Sequence, residues 1–477
     1  MSGSKWLIIT WFVFILGIWA IRGLPWTLDD YDQAKQAYTS YEMVEAGNWW
    51  YQHNPRQTPA TKPPLVGWVS AAIHQLTGNW DVAWRLPSFA AATAILLLLW
   101  NAGKCVGGDL GGFVATGAFA WNMLAIRLAT LVRTDMVLTF FIFATGWLVW
   151  RRLQREEKWA WSDTAWMTLL LALAAMTKGP IYHAFLLPGL IVWSVLAKGN
   201  QNRGRIWLHY ALASIVSVVP FLVWTWLRVR QDPTFYDQVV VKEFLGRFTT
   251  GQKAVHNNQT LYFYIPHLLA KCFPWSLAVI GAACFRSVRN YVRRDQATLW
   301  LACWALGALV VMSIVPSKRV DRIFPVVPVF ALLLAAVVPL IKQKKAGVWL
   351  CVAGLLIFAS YAVADVMVGY RQRQDALVKF GQQVREIVAA RQWSYTVAEG
   401  RDEGMLLYLD QLRFLNAKDV AEKLKTGEIN VAVVDTKALK TVESKIGKTD
   451  RLLEVRHPTE KRYGYYLIQA TTAATGR

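Results

Sequence analysis

Long apolar runs alternate with short polar breaks through the first three quarters of the chain. An uninterrupted run covers residues 6–21 after Lys5. Others follow at about 86–103, 110–128, 136–150, 164–177, 180–197, 206–227, 260–283, 298–315, 323–341 and 347–366. A bilayer crossing takes roughly 20 residues of helix, so each run is read as a span, giving about 11 spans in all. No small-residue cleavage site follows the first run, and many spans do, so it reads as an anchor rather than a leader. The stretch PLVGWVSAAIHQLTG (64–78) is shorter and is interrupted by His74, Gln75 and Gly78. Its length predicts an interfacial or re-entrant helix.

Near residue 367 the pattern changes. A charged amphipathic helix is predicted over 372–392, and strand-like runs lie at 394–398, 412–415, 430–434, 451–456 and 463–469. Helical stretches at 402–411, 417–427 and 436–446 alternate with them. That alternation predicts a small α/β domain. The chain therefore divides into a polytopic α-helical membrane domain, 1–366, and a small C-terminal α/β domain, 367–477.

Composition agrees: of 477 residues 55% are hydrophobic and only 17% charged, too apolar and too weakly charged for a soluble chain of this length. The net charge of +21 raises the question of nucleic acid. The basic residues, however, sit in clusters between apolar runs rather than on one face, so no nucleic-acid partner is expected. With the N-terminus inside, the clusters fall in inner loops: Arg151, Arg152, Arg155 and Lys158; Lys198, Arg203 and Arg205; Arg286, Arg289, Arg293 and Arg294; Lys342, Lys344 and Lys345. This is the positive-inside pattern, which orients a membrane protein and needs no chemistry. Cys105, Cys272, Cys284, Cys303 and Cys351 lie in or beside apolar runs without metal-ligand spacing, so neither disulfides nor a zinc-thiolate site is expected.

The loops on the other side differ. They carry Asp29, Asp30 and Asp32, then Lys62, Arg133 and Asp135, Lys178, Glu243 and Arg247, and Lys318. Ionisable groups at span ends are usually functional or paired, and these come from loops far apart in sequence. Asp32 precedes an amphipathic helix and suits either an N-cap or a catalytic base. Asp30-Tyr31-Asp32 is also a D-x-D pair able to hold a divalent cation. Lys62 stands before two prolines, on extended backbone, where it can meet a phosphate or snorkel to the membrane surface.

The run DQAKQAYTSYEMVEAGNW, TKPPLVGW, AWRLPS, RLATLVRTDM, TKGP, KEFLGRFT and PSKRVDRIFPVVP resembles, in order, the landmarks of membrane glycosyltransferases with the GT-C fold. It is most similar to the bacterial aminoarabinose transferases that modify lipid A, within the protein O-mannosyltransferase-like superfamily, over roughly residues 5–340. The resemblance implies transfer of a sugar from a polyprenyl-phosphate (undecaprenyl-phosphate-type) donor to lipid A, another glycan or a protein. It places the reaction at the outer face of the bacterial inner membrane. It puts the first-loop catalytic aspartate on Asp32, with Asp30 the near alternative, and a second acidic site residue on Asp135 after Arg133. Lys62 and Arg247, followed by Phe248, become partners of the carrier phosphate, with Lys178 and Lys318 in reserve and Glu243 a further candidate.

The chain departs from that pattern at Thr61, Lys242, Gln33 and Arg322. Thr61 and Lys242 replace a glutamate and a histidine that can form a metal site in those transferases, so no such zinc is expected. The expected reaction needs no obligatory cofactor, the cation at Asp30 and Asp32 being the one alternative. An odd number of spans puts the C-terminal domain in the periplasm. Two rival readings are a glycolipid flippase or transporter and a non-catalytic membrane scaffold. A flippase would want ionisable groups buried mid-span, whereas here they gather at span ends.

Overall fold

The computed structural model describes residues 2–197, 202–244, 246, 259–340, 344–460 and 462–471. In chain order its helices are α1 (Ser2–Arg22), α2 (Tyr31–Glu45), α3 (Leu65–Thr77), α4 (Trp80–Ala120), α5 (Met123–Leu128), α6 (Asp135–Gln154), α7 (Trp161–Lys178), α8 (Tyr182–Leu196) and α9 (Arg203–Gln231). A π-helix (Tyr236–Phe244) precedes α10 (Tyr264–Lys271), α11 (Trp275–Cys284), α12 (Arg286–Arg294) and α13 (Gln296–Ile314). A 3₁₀ turn (Val320–Val326) then leads into α14 (Val327–Val337), and α15 (Lys344–Arg371) follows. Among the described residues seven helices are long and apolar enough to cross a bilayer, or eight if α10 and α11, bent by 111°, form one span. The chain is a multi-pass membrane protein.

Two expected spans, 86–103 and 110–128, share the 41-residue α4. The chain reverses inside it, where Gly108 takes φ +63°. Glycine reaches that region at no steric cost. Across the reversal the backbones touch so closely that a Cβ on Gly103 would lie 2.5 Å from the carbonyl oxygen of Gly111. The 13-residue α3 is about 20 Å long, too short to cross, in keeping with the interfacial reading.

The chain forms two compact units. The first comprises residues 1–22 and 61–363. Lipid tails are as apolar as leucine, so helices in a bilayer are held by close packing at small residues and by interhelical hydrogen bonds. The tryptophans do both here. Trp304 lies flat on Gly146, where a Cβ would come within 2.2 Å of the ring. One turn away the Trp300 indole donates to the Gly146 carbonyl at 3.0 Å. Trp275 donates to the carbonyl of Trp121 at 2.9 Å, and Trp11 to the Thr116 hydroxyl at 2.9 Å.

The second unit comprises residues 23–60 and 364–477, so the first polar loop folds together with the C-terminal segment. Helix α16 (Ala376–Arg391) is followed by β1 (Tyr395–Val397), α17 (Met405–Tyr408), α18 (Ala417–Thr426), β2 (Val431–Asp435), α19 (Thr436–Ile446), β3 (Thr449–Arg456) and β4 (Gly464–Ala470). The sheet order is β1-β2-β4-β3, with β1 and β2 parallel and the other pairs antiparallel. The all-buried β2 lies under α18 and α19, whose Val420, Leu424, Leu439 and Val442 fill the core against it. The strand expected at 412–415 reduces to one bridge, Ala398 to Leu415. Asn416 caps α18 immediately afterwards, which leaves no room for a longer strand.

Candidate functional site

In the first unit, α5 and the loop after it lead to the acidic end of α6. Asn122 caps α5 by accepting from the Leu124 and Ala125 amides, and the following loop is pinned by Ser88, whose hydroxyl donates to the carbonyl of Leu131 at 2.8 Å. Asp135 then opens α6, and Lys178 closes α7. A helix N-terminus favours an anion and a C-terminus a cation, so each side chain sits at the helix end that suits its charge.

The two meet directly. Lys178 Nζ donates to Asp135 Oδ1 at 2.6 Å, with the side chains only 14% and 10% exposed. Lys62, held before the buried Pro63 and Pro64, and Arg133 both lie within electrostatic range of the Asp135 carboxylate. Arg133 is itself buried and donates from Nη1 to Asp321 Oδ2 at 2.9 Å. Arg319 lies 3.7 Å from the same oxygen. Among the described residues the cluster therefore holds four cations, Lys62, Arg133, Lys178 and Arg319, against two carboxylates, Asp135 and Asp321. That excess of positive charge is what an anionic group would complement.

Lys318 is in a different situation. It is buried, its Nζ donates to the carbonyl of Gln259 at 3.1 Å, and burial holds its ammonium below the usual lysine range. Arg322 grips the neighbouring Ser317 through the carbonyl at 2.7 Å and the hydroxyl at 3.0 Å. Arg247 and Phe248 lie outside the described residues, as does the side chain of Glu243.

Asp29, Asp30 and Asp32 belong to the second unit. Asp30 caps α2, its Oδ1 accepting from the Asp32 amide at 3.0 Å and the Gln33 amide at 3.4 Å. Asp32 falls in the first turn rather than at the cap, where Asp30 stands. Asp29 accepts a hydrogen bond from Tyr408 at 2.9 Å, and burial pushes its carboxyl up to about 6. Among the described residues no three His, Cys, Asp or Glu side chains are grouped to hold a metal ion.

Three functional candidates escaped the sequence reading. Asp321 sits in the PSKRVDRIF motif beside the Arg322 that the motif highlighted, but 188 positions from its partner Arg133. Ser88 lies in AWRLPS and carries no charge to draw notice. Tyr408 lies 379 positions from Asp29, with no local signal.

A family model for dolichyl-phosphate-mannose-protein mannosyltransferase matches residues 61–224. The undecaprenyl phosphate-alpha-4-amino-4-deoxy-L-arabinose arabinosyl transferase of Enterobacter sp. (strain 638) is 25% identical over 309 residues, 64% of this chain and 54% of that protein. A transferase of the same name from Sodalis glossinidius (strain morsitans) is 27% identical over 309 residues, with the same coverage. The chain spans about half the length of the curated relatives it matches. The solved structure of ArnT from Cupriavidus metallidurans bound to undecaprenyl phosphate superposes with a TM-score of 0.71 at 17% identity, over 97% of this chain and 98% of that one. The apo oligosaccharyltransferase of Archaeoglobus fulgidus superposes with a TM-score of 0.50 at 12% identity, over 92% and 69%. The chain has the GT-C fold, and about two thirds of it is similar in sequence to these arabinosyl transferases.

Proposed function

We propose that this GT-C-fold membrane protein is an inverting glycosyltransferase. It moves a sugar from a polyprenyl-phosphate donor to a lipid or glycan acceptor at the outer face of the bacterial inner membrane, with its C-terminal domain in the periplasm. The observation that carries the reading is the half-buried cluster of Lys62, Arg133, Lys178 and Arg319 around Asp135 and Asp321, which has two more cations than anions. Similarity to transferases named for an undecaprenyl phosphate-linked sugar supports it.

The chemistry follows from charge. A polyprenyl-phosphate sugar is a phosphodiester with one negative charge. When the acceptor oxygen attacks the anomeric carbon and the carbon–oxygen bond to phosphate breaks, the electron pair stays on the phosphate, which becomes a dianionic monoester. Cations fixed beside it are stabilising in the transition state more than in the ground state, the condition for raising turnover. The phosphate departs from the face opposite the attack, so the configuration at the anomeric carbon inverts.

A hydroxyl acceptor also gives up a proton. Asp135 is a poor base, because its carboxylate is already hydrogen-bonded to an ammonium. Asp32, in the acidic first turn of α2, takes the role of base. No step requires a metal ion, and the metal-free mechanism is part of the proposal.

The test uses purified protein in nanodiscs with undecaprenyl phosphate linked to 4-amino-4-deoxy-L-arabinose and, in parallel, to other sugars. Release of free undecaprenyl phosphate with glycosylated acceptor supports the enzyme; movement of intact glycolipid without release contradicts it. Asp32→Asn is expected to lower turnover at least tenfold, about 1.4 kcal/mol of barrier, with folding retained. Near-normal transfer by that variant removes Asp32 from the mechanism.

A further inference from the structure

The acidic loop is built into the second unit by a set of contacts that the reaction described above does not use. The Leu28 amide donates to the Tyr408 hydroxyl at 2.5 Å, and the same hydroxyl donates to Asp29 Oδ1 at 2.9 Å. One phenol thus accepts from the backbone and donates to the carboxylate of consecutive residues. The contact is close: a Cβ on Gly404 would lie 2.7 Å from the carbonyl oxygen of Leu28. Leu28 is itself buried.

The far end of the loop is held from the same segment. Arg56 donates from Nε to Glu403 at 2.8 Å and from Nη1 to Glu399 at 2.6 Å, and the Glu403 side chain is 1% exposed. From α2 itself, Tyr38 donates to the carbonyl of Leu412 at 2.5 Å. The segment is in turn fastened to the sheet. Tyr465 on β4 accepts from the Asp402 amide at 3.1 Å and donates to Asp402 Oδ2 at 3.0 Å. Tyr463 accepts from the Arg401 amide at 3.0 Å and donates to Asp435 Oδ2 at 2.7 Å.

We infer that segment 399–412 of the C-terminal domain positions the acidic loop, with Tyr408 as the positioning residue that fixes the backbone entering α2 and so sets where Asp32 presents its carboxylate. The mechanical path is short. Tyr408 fixes residues 28 and 29, residue 30 caps α2 through the amides of 32 and 33, and Asp32 leaves from that first turn. Phenylalanine at 408 keeps the ring but leaves a buried amide and a buried carboxylate without this partner, a change that loosens the loop. Preorganisation of this kind is worth most when a group must meet a reacting atom within a fraction of an ångström. The C-terminal domain, on this account, orders the loop that carries Asp32. The inference rests on the glycosyl-transfer reading for its effect on rate, and on geometry alone for the tie itself.

The experiment compares the full-length wild type, Tyr408→Phe and Arg56→Gln in nanodiscs, each also in an Asp32→Asn background. Turnover is followed on undecaprenyl phosphate-linked 4-amino-4-deoxy-L-arabinose, and amide hydrogen exchange is followed over residues 28–33. Tyr408→Phe is expected to lower kcat about tenfold with KM within about twofold, to speed exchange across 28–33 while β2 and β4 stay protected, and to cost little more once Asp32 is Asn. Arg56→Gln, at the partly exposed end of the tie, gives the same pattern more weakly. The inference is overturned if exchange over 28–33 is unchanged, or if Tyr408→Phe costs as much in the Asp32→Asn background as in the wild type. A wild type that releases no undecaprenyl phosphate from this carrier overturns the glycosyl-transfer reading instead, and the exchange comparison still decides the tie.

Discussion

Lys178 and Asp135 meet at 2.6 Å with both side chains largely buried, one at the last residue of a helix and the other at the first residue of its neighbour. Each helix end favours the charge it carries. The pair is therefore more than a bridge between α6 and α7. It holds an ammonium at a fixed point, with Lys62 and Arg133 within electrostatic range of the same carboxylate.

The pair predicts an asymmetry in stability. Removing one member of a buried ion pair leaves an uncompensated charge and costs about 3–5 kcal/mol, whereas removing both costs far less. Lys178→Ala should lower the melting temperature more than the double variant Lys178→Ala with Asp135→Asn. Thermal unfolding of Lys178→Ala, Asp135→Asn and the double variant in one detergent measures it. A loss in the double variant equal to the sum of the two single losses would show that the pair is not coupled.

Asp29 predicts a pH dependence. Its folded carboxyl lies at about 6, against an ordinary 3.8, because burial disfavours the charged form. The folded state thus holds a proton that the unfolded state has already released, and stability falls as pH rises from about 4 to about 6, then levels off. The full effect is about 3 kcal/mol. Asp29→Asn removes the titration, so the difference in melting temperature between wild type and variant should shift in the variant's favour across that interval. A difference that is constant with pH would contradict the buried setting of Asp29.

Gly146 predicts a packing limit. The Trp304 ring occupies the space where a side chain would begin, and a Gly146→Val variant must push α6 and α13 apart, also straining the Trp300 bond to the Gly146 carbonyl. Overpacking of this sort costs about 1–3 kcal/mol. Pairing it with Trp304→Ala should restore part of the lost melting temperature, and a double variant no better than the single would rule out that contact as the cause.

Much of this architecture is legible in the chain because a bilayer imposes a simple code. Apolar runs predicted about 11 spans, against seven helices among the described residues that are long and apolar enough to cross, or eight with the bent pair. The period change after residue 367 predicted helices at 417–426 and 436–446 to within a residue. The pre-proline Lys62 and the paired landmarks Asp135 and Lys178 were visible because their local motifs are dense. What was hidden depends on distance along the chain. Nothing near Asp29 announces Tyr408, and nothing near Arg133 announces Asp321, since a hydrogen bond across hundreds of residues leaves no periodicity. For the same reason the grouping of residues 23–60 with 364–477 in one unit could not be read from either segment alone. The reversal inside α4 is legible: the runs 86–103 and 110–128 read as separate spans, and the break between them falls at Gly107 and Gly108.

If the cations around Asp135 grip a carrier's phosphate, equilibrium binding must distinguish undecaprenyl phosphate from uncharged undecaprenol. The wild type should bind the phosphate at least tenfold more tightly than the alcohol, and Lys62→Ala or Lys178→Ala should each weaken phosphate binding by about tenfold to a hundredfold, the worth of one charge-assisted contact, without changing alcohol binding. Equal affinity for phosphate and alcohol, or unaltered phosphate binding in both variants, would contradict it.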